Sequence, residues 1–166
     1  MDDIATPDTL LARMAETLKH LLAERAIDKP LMVGIHTGGV WVAQYLHHSL
    51  AIQEPLATLD ISFYRDDFSR IGVNPKVKPS KLPPHVEDRD IILVDDVLHT
   101  GRTIRAAMNE IFDYGRPASI TLVCLIERNG RELPIQADVV GQKITLTARQ
   151  HIKLSGPTPL QLVLAQ

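Results

Sequence analysis

Apolar residues recur along this chain in two periods. Leu10, Leu11, Met14, Leu18, Leu21 and Leu22 share one face of a 3.6-residue repeat, which predicts an amphipathic helix capped by Asp8 or Thr9. Ile104, Ala107, Met108, Ile111 and Phe112 stand at i, i+3, i+4, i+7 and i+8, a second such helix that Gly115 is placed to end. Residues 31–35, 91–94 and 120–126 are short apolar runs, as expected of strands buried on both faces. Residues 40–50 read as helix, and 139–141 as a further short strand. Leu59, Ile61 and Phe63 alternate with Asp60, Ser62 and Tyr64, which is strand periodicity over 59–64. Residues 65–88 are polar, with prolines at 75, 79, 83 and 84; a loop of that length inside a compact domain is usually a functional flap or a disordered segment.

Strands alternating with helices predict an α/β fold: a mostly parallel sheet with helices on both faces. Ligands in such sheets bind beyond the carboxyl ends of the strands. The segments 37–39, 95–103 and 127–131 each follow a predicted strand, so all three are expected to open on one edge.

Composition adds bounds rather than identity. At 166 residues the simplest organisation is one domain over 1–166, with 45% apolar and 23% charged residues. A net charge of −2 gives no global footprint for nucleic acid. The single cysteine, Cys124, lies in an apolar run and reads as a buried thiol. With neither a basic-then-apolar leader nor a long apolar run, a reducing cytoplasm and no membrane partner are expected. The seven histidines show no metal-ligand spacing.

The chemistry concentrates in Asp95-Asp96-Val97-Leu98-His99-Thr100-Gly101-Arg102-Thr103. An isolated Asp-Asp pair reads equally well as a solvated turn. Here it ends a buried strand and precedes Thr-Gly-Arg-Thr at a helix start. Carboxylates suit the hydroxyls of a sugar, and free N–H groups at a helix start suit a phosphate. No Lys follows a glycine as a Walker sequence requires, and G-x-G-x-x-G is missing.

This segment resembles the phosphoribosyl-pyrophosphate (PRPP) loop of the type I phosphoribosyltransferases. Residues 33–39, the run Ile61-Ser62-Phe63-Tyr64-Arg65-Asp66-Asp67, and 115–138 with Arg131-Glu132-Leu133-Pro134 resemble, within that family, the pyrimidine-operon regulators that double as uracil phosphoribosyltransferases. The resemblance covers most of residues 30–145; the last 20 or so residues add little to it. It implies the type I fold with a small hood, and transfer of the phosphoribosyl group from PRPP to uracil, giving UMP and pyrophosphate. Asp95 and Asp96 would hold the ribose hydroxyls, and Leu98 to Thr103 would cradle the 5′-phosphate. Thr37, Gly38 and Gly39 would form the pyrophosphate loop, where the family often has a non-proline cis peptide. Arg65 would reach the pyrophosphate, while Arg128 and the region near Ile152 would border the substrate. Mg²⁺ would arrive with PRPP, near Asp95 and Asp96 and without dedicated protein ligands. A homodimer or higher homo-oligomer is expected.

Two departures stand out. The regulators commonly carry Thr-Arg-Gly in the pyrophosphate loop, whereas this chain has Thr37-Gly38-Gly39, which removes a charged contact; Lys76, Lys78 or Lys81 in the flap are alternative sources of charge. His99 stands where many have Tyr, and either assists proton removal from uracil or only packs and hydrogen-bonds. The resemblance also implies a second role, binding pyrimidine-operon mRNA in response to UMP or UTP, with weak or no transferase activity as the alternative. Candidate cations for RNA are Arg13, Lys19, His20, Arg25, Arg116, Arg128 and Arg131. Arg128 or Arg131 would equally suit the carboxylate of orotate, so another base stays open.

Overall fold

The computed structural model describes residues 3–61 and 80–166. Five parallel strands form the main sheet: β1 (Leu31–Ile35), β2 (Ala57–Leu59), β3 (Asp90–Leu98), β4 (Ser119–Arg128) and β5 (Val139–Ile144), in the order β2-β1-β3-β4-β5. Among the described residues three helices accompany it: α1 (Pro7–Glu24), α2 (Gly38–Ser49) and α3 (Arg102–Phe112). A separate antiparallel hairpin, β6 (His151–Ser155) with β7 (Gln161–Ala165), completes the described chain.

The apolar runs are continuous because both faces of the sheet are covered. Met32, Ile92, Val94, Val123 and Leu125 point into one core cluster with Leu10, Met14 and Leu18 of α1 and Ala43 and Leu46 of α2. Leu31, Val33, Ile35, Ile91, Leu93, Leu122 and Cys124 point into a second, closed by Ile104, Ala107 and Ile111 of α3. Successive residues alternate between the two, as the pleat demands.

Several boundaries differ from the sequence expectation, each for a local reason. Thr6, not Asp8 or Thr9, caps α1: its hydroxyl accepts from the Thr9 N–H at 3.3 Å, and Pro7 occupies the first helical position, where no N–H is needed. Helix α2 starts at Gly38, so Gly38 and Gly39 belong to its first turn. The strand expected over 59–64 is Ala57–Leu59, in register with Val33 to Ile35 of β1; residues 62–64 lie outside the described residues. β3 runs on past Val94 through both acids, because Asp95 pairs with Cys124 and Val97 with Ile126. α3 turns off at Asp113 with Phe112 54% exposed, and Gly115 follows at φ +145°.

Of the flap expected over 65–88, residues 65–79, including Arg65, Lys76 and Lys78, lie outside the described residues. Its end is tied down: Lys81 exchanges backbone hydrogen bonds with Thr58, at 2.8 and 3.1 Å, and Val86 is fully buried. The hairpin was not foreseen. It is seated through Ile152 and Leu154, which bury into the first cluster, and it supplies the small hood. Among the described residues no helix is long and apolar enough to cross a membrane.

Leu18 is fully buried between α1 and the sheet. Leu18→Ala is expected to lower unfolding free energy by about 3 kcal/mol, within the usual range for a buried Leu truncation. Urea denaturation with an unchanged m value checks this; a loss under about 1 kcal/mol would contradict the packing described.

Candidate functional site

The strand order reverses between β1 and β3: from β1 the chain adds β2 on one side, and later β3, β4 and β5 on the other. At such a switch point the connections from neighbouring strands leave in opposite directions and open a crevice at the carboxyl ends. Here it is bounded by the 37–39 turn after β1 and the 95–103 segment of β3 and α3.

The two walls touch. A Cβ placed on Gly38 would overlap Oδ2 of Asp96 and lie 2.7 Å from its Cγ. One on Gly39 would lie 2.6 Å from the Val94 carbonyl and 3.0 Å from the Asp95 Cα. The missing side chain at Gly38 therefore lets the Asp96 carboxylate seat against the 37–39 turn. An arginine there would require a different seat for Asp96. The peptide His36–Thr37 is cis, and the His36 N–H donates to the Leu59 carbonyl at 2.8 Å.

Asp95 is 2% exposed, whereas Asp96 is half-buried. Each carboxylate accepts the N–H of the following residue at 2.9 Å: Asp96 N–H to Asp95 Oδ1, and Val97 N–H to Asp96 Oδ1. These bonds turn both acids toward the carboxyl end of the sheet. Val97 and Leu98 pack their side chains into the two clusters, so they can offer a ligand only backbone. Gly101, at φ +96°, caps α3 without a side-chain bond. The Arg102 N–H donates to Thr100 Oγ1 at 3.2 Å. The first N–H groups of a helix lack intrahelical partners, so Arg102, Thr103 and Ile104 begin α3 with an anion-favouring end. The Arg102 side chain itself pairs with Glu132 at 2.9 Å.

The third wall is the end of β4. Arg128 is buried; its Nη1 donates to the Gln150 carbonyl at 3.0 Å, and its Nε has no hydrogen-bond partner among the described residues. Burial draws its pKa below the ordinary arginine value. Arg131 is engaged on all three nitrogens: with Glu127 at 2.5 Å, with the Ile135 carbonyl at 2.9 Å and with the His99 carbonyl. Arg25 pairs with Asp138 at 3.0 Å and donates to Thr121. Three of the seven cations expected to face RNA thus serve internal bonds; Arg13, Lys19, His20 and Arg116 are exposed. Arg131, occupied in this way, is also a poor carboxylate clamp for orotate.

His99 lies exposed at the rim. Its pKa is lowered, chiefly by partial burial, then by the nearby charge of Arg128; Arg131 and His151 add to this and Glu132 opposes it. Cys124 is fully buried beneath the acids, and burial first, then the charges of Asp95 and Asp96, push its thiol pKa well up. Ile152 buries its side chain in the first cluster and borders the site through β6. Sequence reasoning missed Asn129, Gln150 and His151. The alternation of His151, Lys153 and Ser155 with Ile152 and Leu154 was the available signal for that strand.

With the geometry in place, comparison with known proteins gives the family. A model described as the phosphoribosyl transferase domain matches residues 4–158, and the chain belongs to that family. Within it the chain stands among the PyrR proteins. "Bifunctional protein PyrR" of Pseudomonas paraeruginosa is 58% identical over 159 residues, covering 96% of this chain and 94% of that one. The protein of the same name from Nitrosococcus oceani is 60% identical over 156 residues, covering 93% and 88%. The fold is similar to that of a hypoxanthine phosphoribosyltransferase from Staphylococcus aureus, with a TM-score of 0.67 at 20% identity over 87% of this chain and 78% of that one. It is similar also to that of the Trypanosoma cruzi enzyme, with a TM-score of 0.68 at 19% identity over 87% and 79%.

The lowered pKa of His99 has a signed consequence. Between the folded value and the unfolded value near 6.5, the unfolded chain binds more protons, so this residue's contribution to stability rises with pH through that window. The His99 imidazole resonances should titrate with a midpoint below 6.5 in an NMR pH series. A midpoint above it would contradict the electrostatic environment described.

Proposed function

We propose that this protein is a uracil phosphoribosyltransferase of the PyrR type, a pentosyltransferase that converts uracil and PRPP to UMP and pyrophosphate. One observation carries the reading: Asp95 and Asp96 lie against the 37–39 turn at the switch point, on the strand that leads into the start of α3. A ligand that spans them must present a diol, a phosphate and a second anionic group.

Breaking the bond from C1 to pyrophosphate builds positive charge on the sugar and negative charge on the leaving group. Asp95 and Asp96 hold the ribose hydroxyls and face the cationic sugar. Amides at the start of α3, with Thr100 and Thr103, bind the 5′-phosphate. Thr37, Gly38 and Gly39 offer backbone to the pyrophosphate, and Arg65, outside the described residues, adds charge. The partnerless buried Nε of Arg128 is a donor awaiting an acceptor, and a pyrimidine carbonyl oxygen supplies one. His99, neutral near pH 7, can accept a proton from the base. A hard cation such as Mg²⁺, which keeps waters and substrate oxygens around it, would be carried in with PRPP near Asp95 and Asp96, without dedicated protein ligands. Such an ion supplies charge to the departing pyrophosphate. A single domain over 1–166, a flap over 65–88 that keeps water from the sugar, a homo-oligomer and a cytoplasmic setting complete the proposal.

The name of the relatives, "Bifunctional protein PyrR", favours a second reading alongside the first: binding of pyrimidine-operon mRNA under control of UMP or UTP. Site occupancy would then be the signal that changes RNA affinity. Exposed Arg13, Lys19, His20 and Arg116 are the cations left for phosphate contacts. Binding to the organism's own leader RNA with UMP present should weaken as salt rises. No binding at low salt would leave the transferase alone.

The primary test is uracil-dependent pyrophosphate release from PRPP. Asp95→Asn and Asp96→Asn should each lower kcat/KM by about 100-fold or more, the scale for loss of a group that stabilises developing charge. Activity unaffected by both would refute the assignment. His99→Phe, followed across pH 6–9, should flatten the acidic limb of the rate profile; an unchanged profile would remove His99 from proton transfer.

A further inference from the structure

We infer that Arg131 is a positioning residue that aims the backbone amides of Thr100 and Gly101 at the 5′-phosphate, an inference that rests on the function proposed above. The guanidinium spans three segments. Its Nε donates to the Ile135 carbonyl at 2.9 Å, Nη2 to Glu127 Oε1 at 2.5 Å, and Nη1 to the carbonyl of His99. The next carbonyl, that of Thr100, accepts from the N–H groups of Glu132 at 3.0 Å and Leu133 at 3.1 Å. Residues 131–133 therefore hold two successive carbonyls of the turn that leads into α3.

A peptide group is planar, so its carbonyl and the following N–H turn together. The 99–100 and 100–101 peptides are trans, which sets each N–H antiparallel to the carbonyl before it. With the His99 carbonyl drawn to Arg131 and the Thr100 carbonyl to Glu132 and Leu133, the N–H groups of Thr100 and Gly101 point away from the 131–133 segment. In the inferred role these N–H groups join those opening α3 around one anion. Gly130 completes the arrangement. At φ +108° it brings the main chain against the His99 ring, and a Cβ there would lie 2.9 Å from Nε2.

Arginine suits this position because its rigid fork serves three acceptors in different directions. A lysine ammonium keeps the charge but not the planar fork. The side chain is only 25% exposed and its bonds are turned inward, which distinguishes this role from direct phosphate or carboxylate recognition.

The test measures ribose 5-phosphate affinity by calorimetry, with Thr100 and Gly101 amide shifts followed by NMR. Arg131→Gln should weaken binding about tenfold, the scale of losing an oriented donor to a charged group, and should shrink the ligand-induced shifts of both amides. Arg131→Lys should lose about threefold. In the uracil assay the KM for PRPP should rise with kcat changed less than the KM. Wild-type affinity in Arg131→Gln, or a fall in kcat with unchanged KM and undisturbed amide shifts, would overturn the inference. Should Arg131→Gln not fold, Arg131→Lys decides, with wild-type affinity overturning it. Failure of the wild-type protein itself to bind ribose 5-phosphate would instead overturn the proposed function.

Discussion

Burial of β3 on both faces is the constraint from which the site follows. Ile91 and Leu93 pack against α3 while Ile92 and Val94 pack against α1 and α2, so the middle of the strand can carry no charge. Charge becomes tolerable only near the carboxyl end, past Val94, where β1 no longer pairs with the strand. Asp95 sits at that limit, buried yet bonded to the N–H of Asp96, and Asp96 stands half clear of it. The apolar core and the acidic pair are thus consecutive stretches of one strand, separated by a single peptide. β1 pairs with β3 only as far as Val94, while β4 pairs with it through Leu98, so the acids begin where the strand stops being held on both sides.

The three walls of the crevice use different means to present backbone. The 37–39 turn does so by lacking side chains, which lets α2 begin within reach of the acids. The 99–101 turn does so through the left-handed conformation of Gly101 and the clamp behind it. The end of β4 relies on a buried cation, Arg128, held by one carbonyl and with a donor to spare. Little of this depends on exposed side-chain charge, in keeping with a net charge near zero.

Much of the fold was legible in the sequence because the strongest signals are strictly periodic. The residues of α1 and α3 and the apolar cores of β1, β3 and β4 follow directly from spacing. Boundaries were harder. β3 extends through Asp95 and Asp96 because neighbouring β4 offers ladder partners, and no local property of two aspartates announces that. The β6–β7 hairpin was legible in its alternation but masked by prolines at 157 and 159. The acidic pair, the glycines of the 37–39 turn and the helix start were named from local pattern alone. The inward use of Arg25, Arg128 and Arg131 was not, since a guanidinium reads the same in sequence whether it faces solvent or three carbonyl oxygens.

Asn129 shows how far a single amide can reach. Its Oδ1 accepts the Leu146 N–H at 2.8 Å and its Nδ2 donates to the Leu146 carbonyl at 3.1 Å, the pair of bonds a strand neighbour would make. The side chain thus acts as one more rung after β4 has ended, and it fastens the connector that leads from β5 to the hairpin. Because Gln150, at the far end of that connector, gives its carbonyl to Arg128, the hairpin and the β4 wall of the crevice are hung from the same few atoms. A change that leaves every crevice residue intact but shifts the connector would be felt there as a change in the spacing between Arg128 and the hairpin.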